Sequence, residues 1–404
     1  MATPTLRAPA PAEPVRTGRI WLAAWPVFAV FVLSNAVTPL YPLWQQRLGF
    51  SAGTMTVIFA GYIVGLIGAL LVAGVLSDRI GRRPVLLPGL LLALVACALF
   101  MTAGSVPMLV AARPLTGLAV GATVSAGMAA VADVAGADRQ GTAALASSAA
   151  MVSGAGTGPL LAGVLSQLLP MPTVLVFAVE TGLLVSAGAV VAGLPATGSK
   201  TGARLRIPTV PARNRRQLAA GIAVFAPGIT ATSFVLSLGP ALLVELLGSN
   251  NRIVAGAMAF VMFAAATAAQ FAARPLPTRS VLTAGAAATV AAMLALATAL
   301  LAHSLAALVA AAMLAGAGQG LGQLGGLTLL LAAVAETRRA EANSALNIGG
   351  YIPAAALPTA AGYLGDTLGL AWSAGIFAVL LGSLAVAGAG VARWATRAHG
   401  GPGA

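Results

Sequence analysis

Few residues in this 404-residue chain have side chains suited to chemistry: 8% are charged and two are histidines. Three places stand out by residue type and spacing. The run Gly74-Val75-Leu76-Ser77-Asp78-Arg79-Ile80-Gly81-Arg82-Arg83-Pro84 sets one acid among three arginines. There Asp78 can accept hydrogen bonds or an ion pair, Gly81 can supply a tight turn, and Gly74 can let a helix end approach a neighbour closely. Arg113 opens the stretch Arg113-Pro114-Leu115-Thr116-Gly117-Leu118-Ala119-Val120-Gly121. A guanidinium inside a hydrophobic run is costly and marks a functional position, unless its long stem lets the charge reach an interface. Glu180 stands alone in a third apolar run, where a carboxyl either carries a proton or is a neutral, hydrogen-bonded structural group. Asp133 and Asp138 lie by Arg139, and Glu336 and Glu341 lie by Arg338 and Arg339, as candidate ion pairs at two helix ends.

Other chemistries lack their residues. No G-x-x-x-x-G-K-[ST] loop points to ATP, and no nucleophile, base and orienting group can be assembled. The single cysteine, Cys97, cannot form an intrachain disulfide, and His303 and His399 do not make a metal set. No metal, no cofactor and no enzymatic activity are therefore expected.

The elements that must hold these residues are set by composition. Hydrophobic residues make up 59% of the chain, too much apolar surface for a water-soluble fold. Backbone groups left unpaired in hydrocarbon are too costly, so only helices or a closed barrel can span a membrane. The apolar runs are about 20 residues long, which suits helices, and the short alternating segments of a barrel are absent. Flanking charges and turn residues place twelve spans, near 20–41, 54–76, 84–104, 107–132, 141–168, 172–194, 218–247, 253–273, 280–302, 304–334, 341–364 and 370–392.

The net charge of +13 is a matter of topology. Nineteen of the 22 Lys and Arg fall in the termini and alternate loops, Arg47 and Arg252 fall on the other side, and Arg113 lies within a span. This asymmetry puts both termini in the cytoplasm, with anionic headgroups, and not nucleic acid, as the electrostatic partner. The expected organisation is a disordered cytoplasmic tail at 1–19, a six-helix bundle at 20–194, a basic cytoplasmic linker at 195–217, a second bundle at 218–392 and a tail at 393–404. An Arg-to-Lys ratio of 21 to 1 with abundant Ala and Gly fits a bacterial protein, hence a multi-pass protein of the inner membrane.

An offset of 199 residues relates the halves: Gly117 and Gly121 map onto Gly316 and Gly320, Pro159 and Gly163 onto Pro358 and Gly362, and Arg139 onto Arg338. Polar residues inside spans are mostly uncharged. Asn35, Thr38, Tyr41, Tyr62, Ser125, Gln319, Gln323, Asn343, Asn347 and Tyr351 are candidates to line a cavity or to hydrogen-bond between helices. Gln319 and Gln323 share a helix face, as do Asn343, Asn347 and Tyr351.

The loop from Gly74 to Pro84 closely resembles the signature loop of the major facilitator superfamily: Gly, then Asp four residues on, Arg, a second Gly and a basic pair. The run Gly154-Ala155-Gly156-Thr157-Gly158-Pro159-Leu160-Leu161-Ala162-Gly163 is similar to the fifth-span motif of that family's exporters, with Ala162 in place of one glycine. Arg113 is similar to the fourth-span arginine linked there to proton transfer. The resemblance implies an all-α integral membrane protein with twelve transmembrane helices in two pseudo-symmetric six-helix bundles. It implies a monomeric secondary transporter of the drug:proton antiporter group, exporting small, largely apolar compounds, with a small-molecule substrate and protons as partners. In it, Gly74, Asp78, Arg79, Gly81, Arg82 and Arg83 form a conformational switch and Arg113 is a candidate for proton coupling; by residue type and place, Glu180 and Asp133 are further candidates for proton coupling. Gly154, Gly158, Pro159 and Gly163 form the exporter helix, and Asn35, Tyr41, Tyr62, Gln319, Gln323, Asn347 and Tyr351 are substrate-cavity candidates. Proton-coupled uptake of a sugar or organic acid, or a non-transporting sensor or scaffold on the same fold, are the alternatives.

Overall fold

The structure is a computed structural model and describes residues 17–194, 210–248, 250–335 and 338–397. Most of the expected tails and linker, and Glu336, lie outside these residues. The described chain contains twelve long helices: α1 (Thr17–Leu48), α2 (Ala52–Ile80), α3 (Arg83–Met101), α4 (Val106–Ala135), α5 (Gln140–Leu168), α6 (Pro172–Ala192), α7 (Arg215–Leu247), α8 (Arg252–Ala273), α9 (Thr278–Ala302), α10 (Leu305–Ala333), α11 (Arg339–Leu368) and α12 (Leu370–Arg397). Eleven are both long and apolar enough to cross a membrane. The other, α11, has the length at 30 residues but is diluted by Asn343, Asn347, Thr359, Asp366 and Thr367.

Two boundaries differ from those expected. The segment assigned to a linker already turns at Ala212–Asn214 and becomes helical at Arg215, so Arg215 and Arg216 begin α7. At the other terminus α12 runs on through Arg393 and Arg397. In both cases the bundle continues a helix that hydropathy alone would end; Arg215, Arg216 and Arg393 are exposed there, and an Arg stem can extend along a helix surface while its charge stays wet. The Arg216 guanidinium lies 4.9 Å from the Trp394 ring, joining α7 to α12.

Successive helices run up and down, so Thr17 and Arg397 lie at one end of the molecule, called the near end; the other is the far end. Within the first six helices α2 packs on α4, α1 on α5 and α3 on α6; within the last six α8 packs on α10, α7 on α11 and α9 on α12. The sequence repeat reappears as a repeat of contacts. A Cβ at Gly117 would strike the Tyr62 carbonyl of α2, and one at its repeat mate Gly316 would strike the Met262 carbonyl of α8. Small residues let the backbones meet, which is the main source of helix association in lipid. The two sets of six join mainly through α5 with α8 and α2 with α11, with smaller contacts of α1 and α2 on α7 and of α1 on α8.

α1 and α4 are not regular. Pro39 and Pro42 lack backbone N–H donors, and α1 passes through a tight turn at Thr38–Leu40 before continuing at Tyr41–Leu48. α4 carries a π-type widening at Thr123–Gly127, a feature that tends to occur near functional sites.

Candidate functional site

The loop after α2 behaves as its residue types demand. Gly81 has φ of +98°, a left-handed conformation that favours glycine, and it ends α2. Beyond it the Arg82 guanidinium donates to Asp78 Oδ1 at 2.5 Å, to Ser77 Oγ at 2.6 Å and to Asp133 Oδ2 at 3.1 Å. One arginine thus ties the ends of α2 and α4 to the start of α3. Partial burial alone would lower the Arg82 pKa, but the hydrogen bonds and charges of Asp78 and Asp133 outweigh it and hold the pKa above its ordinary value. Asp133, expected beside Arg139, is drawn to Arg82 instead, and Arg139 donates to Thr17 Oγ1 at 3.1 Å. The second cluster keeps a local pair, Arg338 to Glu341 at 2.9 Å, three residues apart on one helix turn. Gly74 departs from expectation: a Cβ there would meet nothing within 4 Å. Arg79 is exposed and Arg83 half-exposed at the same near end.

Arg113 is 1% exposed, which rules out an arginine reaching an interface in this state. Its Nη1 donates to the Ser34 carbonyl of α1 at 3.0 Å, and its guanidinium lies 5.4 Å from the Phe59 ring and 4.9 Å from the Tyr62 ring of α2. Its Nε has no hydrogen-bond partner, and among the described residues it makes no ion pair. The Tyr41 hydroxyl is near enough to interact electrostatically with it, though without a well-formed hydrogen bond. Aromatic faces attract a cation through their quadrupoles, so this charge is held by one carbonyl and a ring cage.

The cavity candidates separate. Tyr62 and Tyr351 are half-buried, and their hydroxyls interact across the two sets of helices. Asn35 is also half-buried, donating to Ser34 Oγ at 2.9 Å next to the carbonyl that holds Arg113. Gln319 and Gln323 are half-buried on α10, and Asn347 donates back to Asn343 within α11. Tyr41 is different. It is fully buried against Trp44, whose ring in turn packs on Phe100 and Phe177, so it belongs to the aromatic core of the first six helices. Glu180 lies on α6, fully buried, with neither carboxyl oxygen hydrogen-bonded. α6 packs mainly on α3 and α1, with a smaller contact on α5.

The fifth-span motif divides its glycines between two tasks. A Cβ at Gly154 would strike the Phe28 carbonyl and one at Gly158 the Val32 carbonyl, both in α1. A Cβ at Gly163 would instead strike the Arg252 carbonyl of α8, in the other half, and Gly256 of α8 is equally tight against the Pro159 carbonyl. The repeat mate of Gly163, Gly362 of α11, is pressed against Ala52 and Thr56 of α2. These close approaches bring together far-end residues that the spacing of polar groups did not single out. Asp366 accepts from Ala52 N at 2.8 Å and Gly53 N at 3.0 Å. Gln167 Oε1 accepts from Arg252 N at 3.0 Å, the Arg252 guanidinium donates to the Ser166 carbonyl at 2.6 Å, and Gln46 donates to Asn250 at 3.3 Å. All five bonds cross between the halves. A cavity of 490 Å³ lies beside them, lined among others by Gln45, Glu245 and Asp366.

Comparison with known proteins gives a consistent family. The profile of the Major Facilitator Superfamily matches residues 24–292. An uncharacterized MFS-type transporter of Bacillus subtilis, YfkF, is 31% identical over 117 residues, 28% of this chain and 29% of that protein. The multidrug resistance protein MdtL of Escherichia coli is 33% identical over 98 residues, 23% of this chain and 25% of that protein. The chain therefore aligns with less than a third of the length of these relatives. Among solved structures, a bacterial homologue of the human lysosomal transporter Spinster, inward-facing and unoccupied, superposes with a TM-score of 0.74 at 12% identity, covering 95% of this chain and 99% of that one. The nucleoside transporter NupG gives 0.75 at 12% identity, covering 93% and 99%.

Proposed function

The chain belongs to the major facilitator superfamily, and from that premise we propose that it is a proton-coupled exporter of small, largely apolar organic compounds. In this reading it works as a monomer in the inner membrane of a bacterium, with its near end, termini and basic loops facing the cytoplasm. The arginine asymmetry supports that orientation. Transport proceeds by alternating access: the two sets of six helices rock about the cargo, and the state described here is the one closed at the outer, far end.

The observation that carries export is the α5 motif, whose Gly158 and Gly163 join one helix to α1 on its own side and to α8 across the divide. A helix shared in this way moves with its own half and gates against the other. The similarity to a protein named for multidrug resistance points the same way. Arg113 is the proposed coupling residue. Its cage of Phe59, Tyr62 and one carbonyl leaves donors to spare, so protonation changes or cargo binding nearby can redirect it. Tyr62, Tyr351, Asn35, Gln319 and Gln323 supply a cavity with little fixed charge, suited to apolar cargo with a few polar groups. Glu180 is a second candidate for proton coupling, as a carboxyl held inside the first six helices without a partner. Asp78, Arg82 and Asp133 act as a conformational switch at the cytoplasmic end.

The test is drug susceptibility in a strain lacking its own exporters, comparing the intact protein with Arg113→Ala and Asp78→Asn at matched expression. The expected result is resistance from the intact protein that both variants lose. Unchanged resistance in both would overturn the assignment of these sites.

A further inference from the structure

The 199-residue offset extends to contacts that no sequence motif marks. It carries Gly53 onto Arg252 and Gln167 onto Asp366. These are the residues that bond across the far end: Asp366 to the N-terminus of α2 at Ala52 and Gly53, and Gln167 to the N-terminus of α8 at Arg252. The first N–H groups of any helix have no partner inside it. Each of these helices caps itself in part, Ser51 accepting from Thr54 N in α2 and Asn251 accepting from Ile253 N and Val254 N in α8. The remaining donors are satisfied from the opposite half, so they are freed to water when the halves part at this end.

The two points differ in charge. A carboxylate at a helix N-terminus gains from the helix dipole as well as from two charge-assisted hydrogen bonds. The Gln167 amide is neutral, and the charge at that point is instead Arg252, whose guanidinium meets the Ser166 carbonyl in the last turn of α5. Two other titratable groups near Asp366 are Glu245 of α7, which lines the same cavity and accepts from Ala371 N at 3.3 Å, and Tyr363 on its own helix. Glycine makes the approach possible, since a Cβ at Gly53 would run into Tyr363 and Asp366.

We propose that Asp366 and Gln167 are the paired positioning residues of the outer gate: each clasps the helix N-terminus opposite, and the Asp366 charge makes its clasp the stronger. This rests on the alternating-access reading above, but not on the cargo or on proton coupling.

The experiment measures distances between spin labels at Thr102 and Ala302, far-end positions of the first and last six helices, in a Cys97→Ser background. Wild type is expected to show a short, closed distance with a minor longer one. Asp366→Asn replaces one acceptor by a donor that faces an N–H, and should raise the open-to-closed ratio about tenfold. Gln167→Met removes one neutral bond and should raise it about threefold. A ratio within twofold of wild type for Asp366→Asn overturns the proposal, as does a larger effect from Gln167→Met. If Asp366→Asn is not recovered folded, Gln167→Met decides alone, and an unchanged ratio overturns the clasp. A single distance in wild type under every condition, at either pH extreme and with or without drug, would remove the alternating-access reading as well.

Discussion

At the near end the Arg82 guanidinium binds Asp78 and Asp133 without leaving the first six helices, whereas at the far end Asp366, Gln167, Arg252 and Gln46 each bond a residue of the opposite half. The near-end network is rich in charge and partly exposed, and it organises one half. The far-end bonds are less charged, and three of the five use backbone N–H groups at helix starts. Between the ends, close glycine contacts knit each half together and also join one to the other. Strength and location are thus decoupled: the most charged cluster is not the one that holds the halves in this state.

Substitutions can separate these contributions. The largest effect is expected within a half. Gly158→Val would drive a side chain into the Val32 carbonyl, backbone that cannot yield, and should destabilise the first six helices by about 3 kcal/mol. Thermal unfolding in detergent would show it as a lowered Tm. Next come Gly163→Val and Gly362→Val, whose clashes lie between halves that can move apart. The cost of about 1–3 kcal/mol should fall on the closed far end alone, read as a larger open population in the Thr102–Ala302 spin-label distance with little change in Tm. Arg82→Ala should lower stability by less than about 1 kcal/mol, because Asp78 and Asp133 are solvent-accessible and exposed ion pairs contribute little. Its effect should appear in efflux rate before it appears in melting. The smallest is Gln46→Ala, which removes one exposed bond of 3.3 Å and should shift the open-to-closed ratio in the same distance measurement by a factor of about two.

Much of this was legible in the sequence. Length and apolarity of the runs set the helices, since hydrocarbon leaves a chain almost no other choice. The repeated glycines mark where backbones meet, because only a missing Cβ permits the approach of Gly117 to Tyr62 or of Gly163 to Arg252. Gly81 announced its turn. Other features were beyond local patterning. α11 passes for a span by length, yet its polar residues dilute its hydropathy. Tyr41 has the same character in the sequence whether it faces a cavity or packs on Trp44, and only the aromatic cluster decides. Asp133 chose Arg82, 51 residues away, over its neighbour Arg139. Asp366 lies 313 residues from Gly53, and no periodicity reports such a distance. The signal that could have found it was the offset itself, carried past the glycines to the polar residues at helix ends.

The central claim, export driven by protons, is tested most directly in everted membrane vesicles containing the protein and a fluorescent, largely apolar drug. With the vesicle interior made acidic, the protein should accumulate the drug inside, and a protonophore should release it at once. Accumulation that persists after the proton gradient is collapsed, or drug movement in the same direction as the proton, would contradict it.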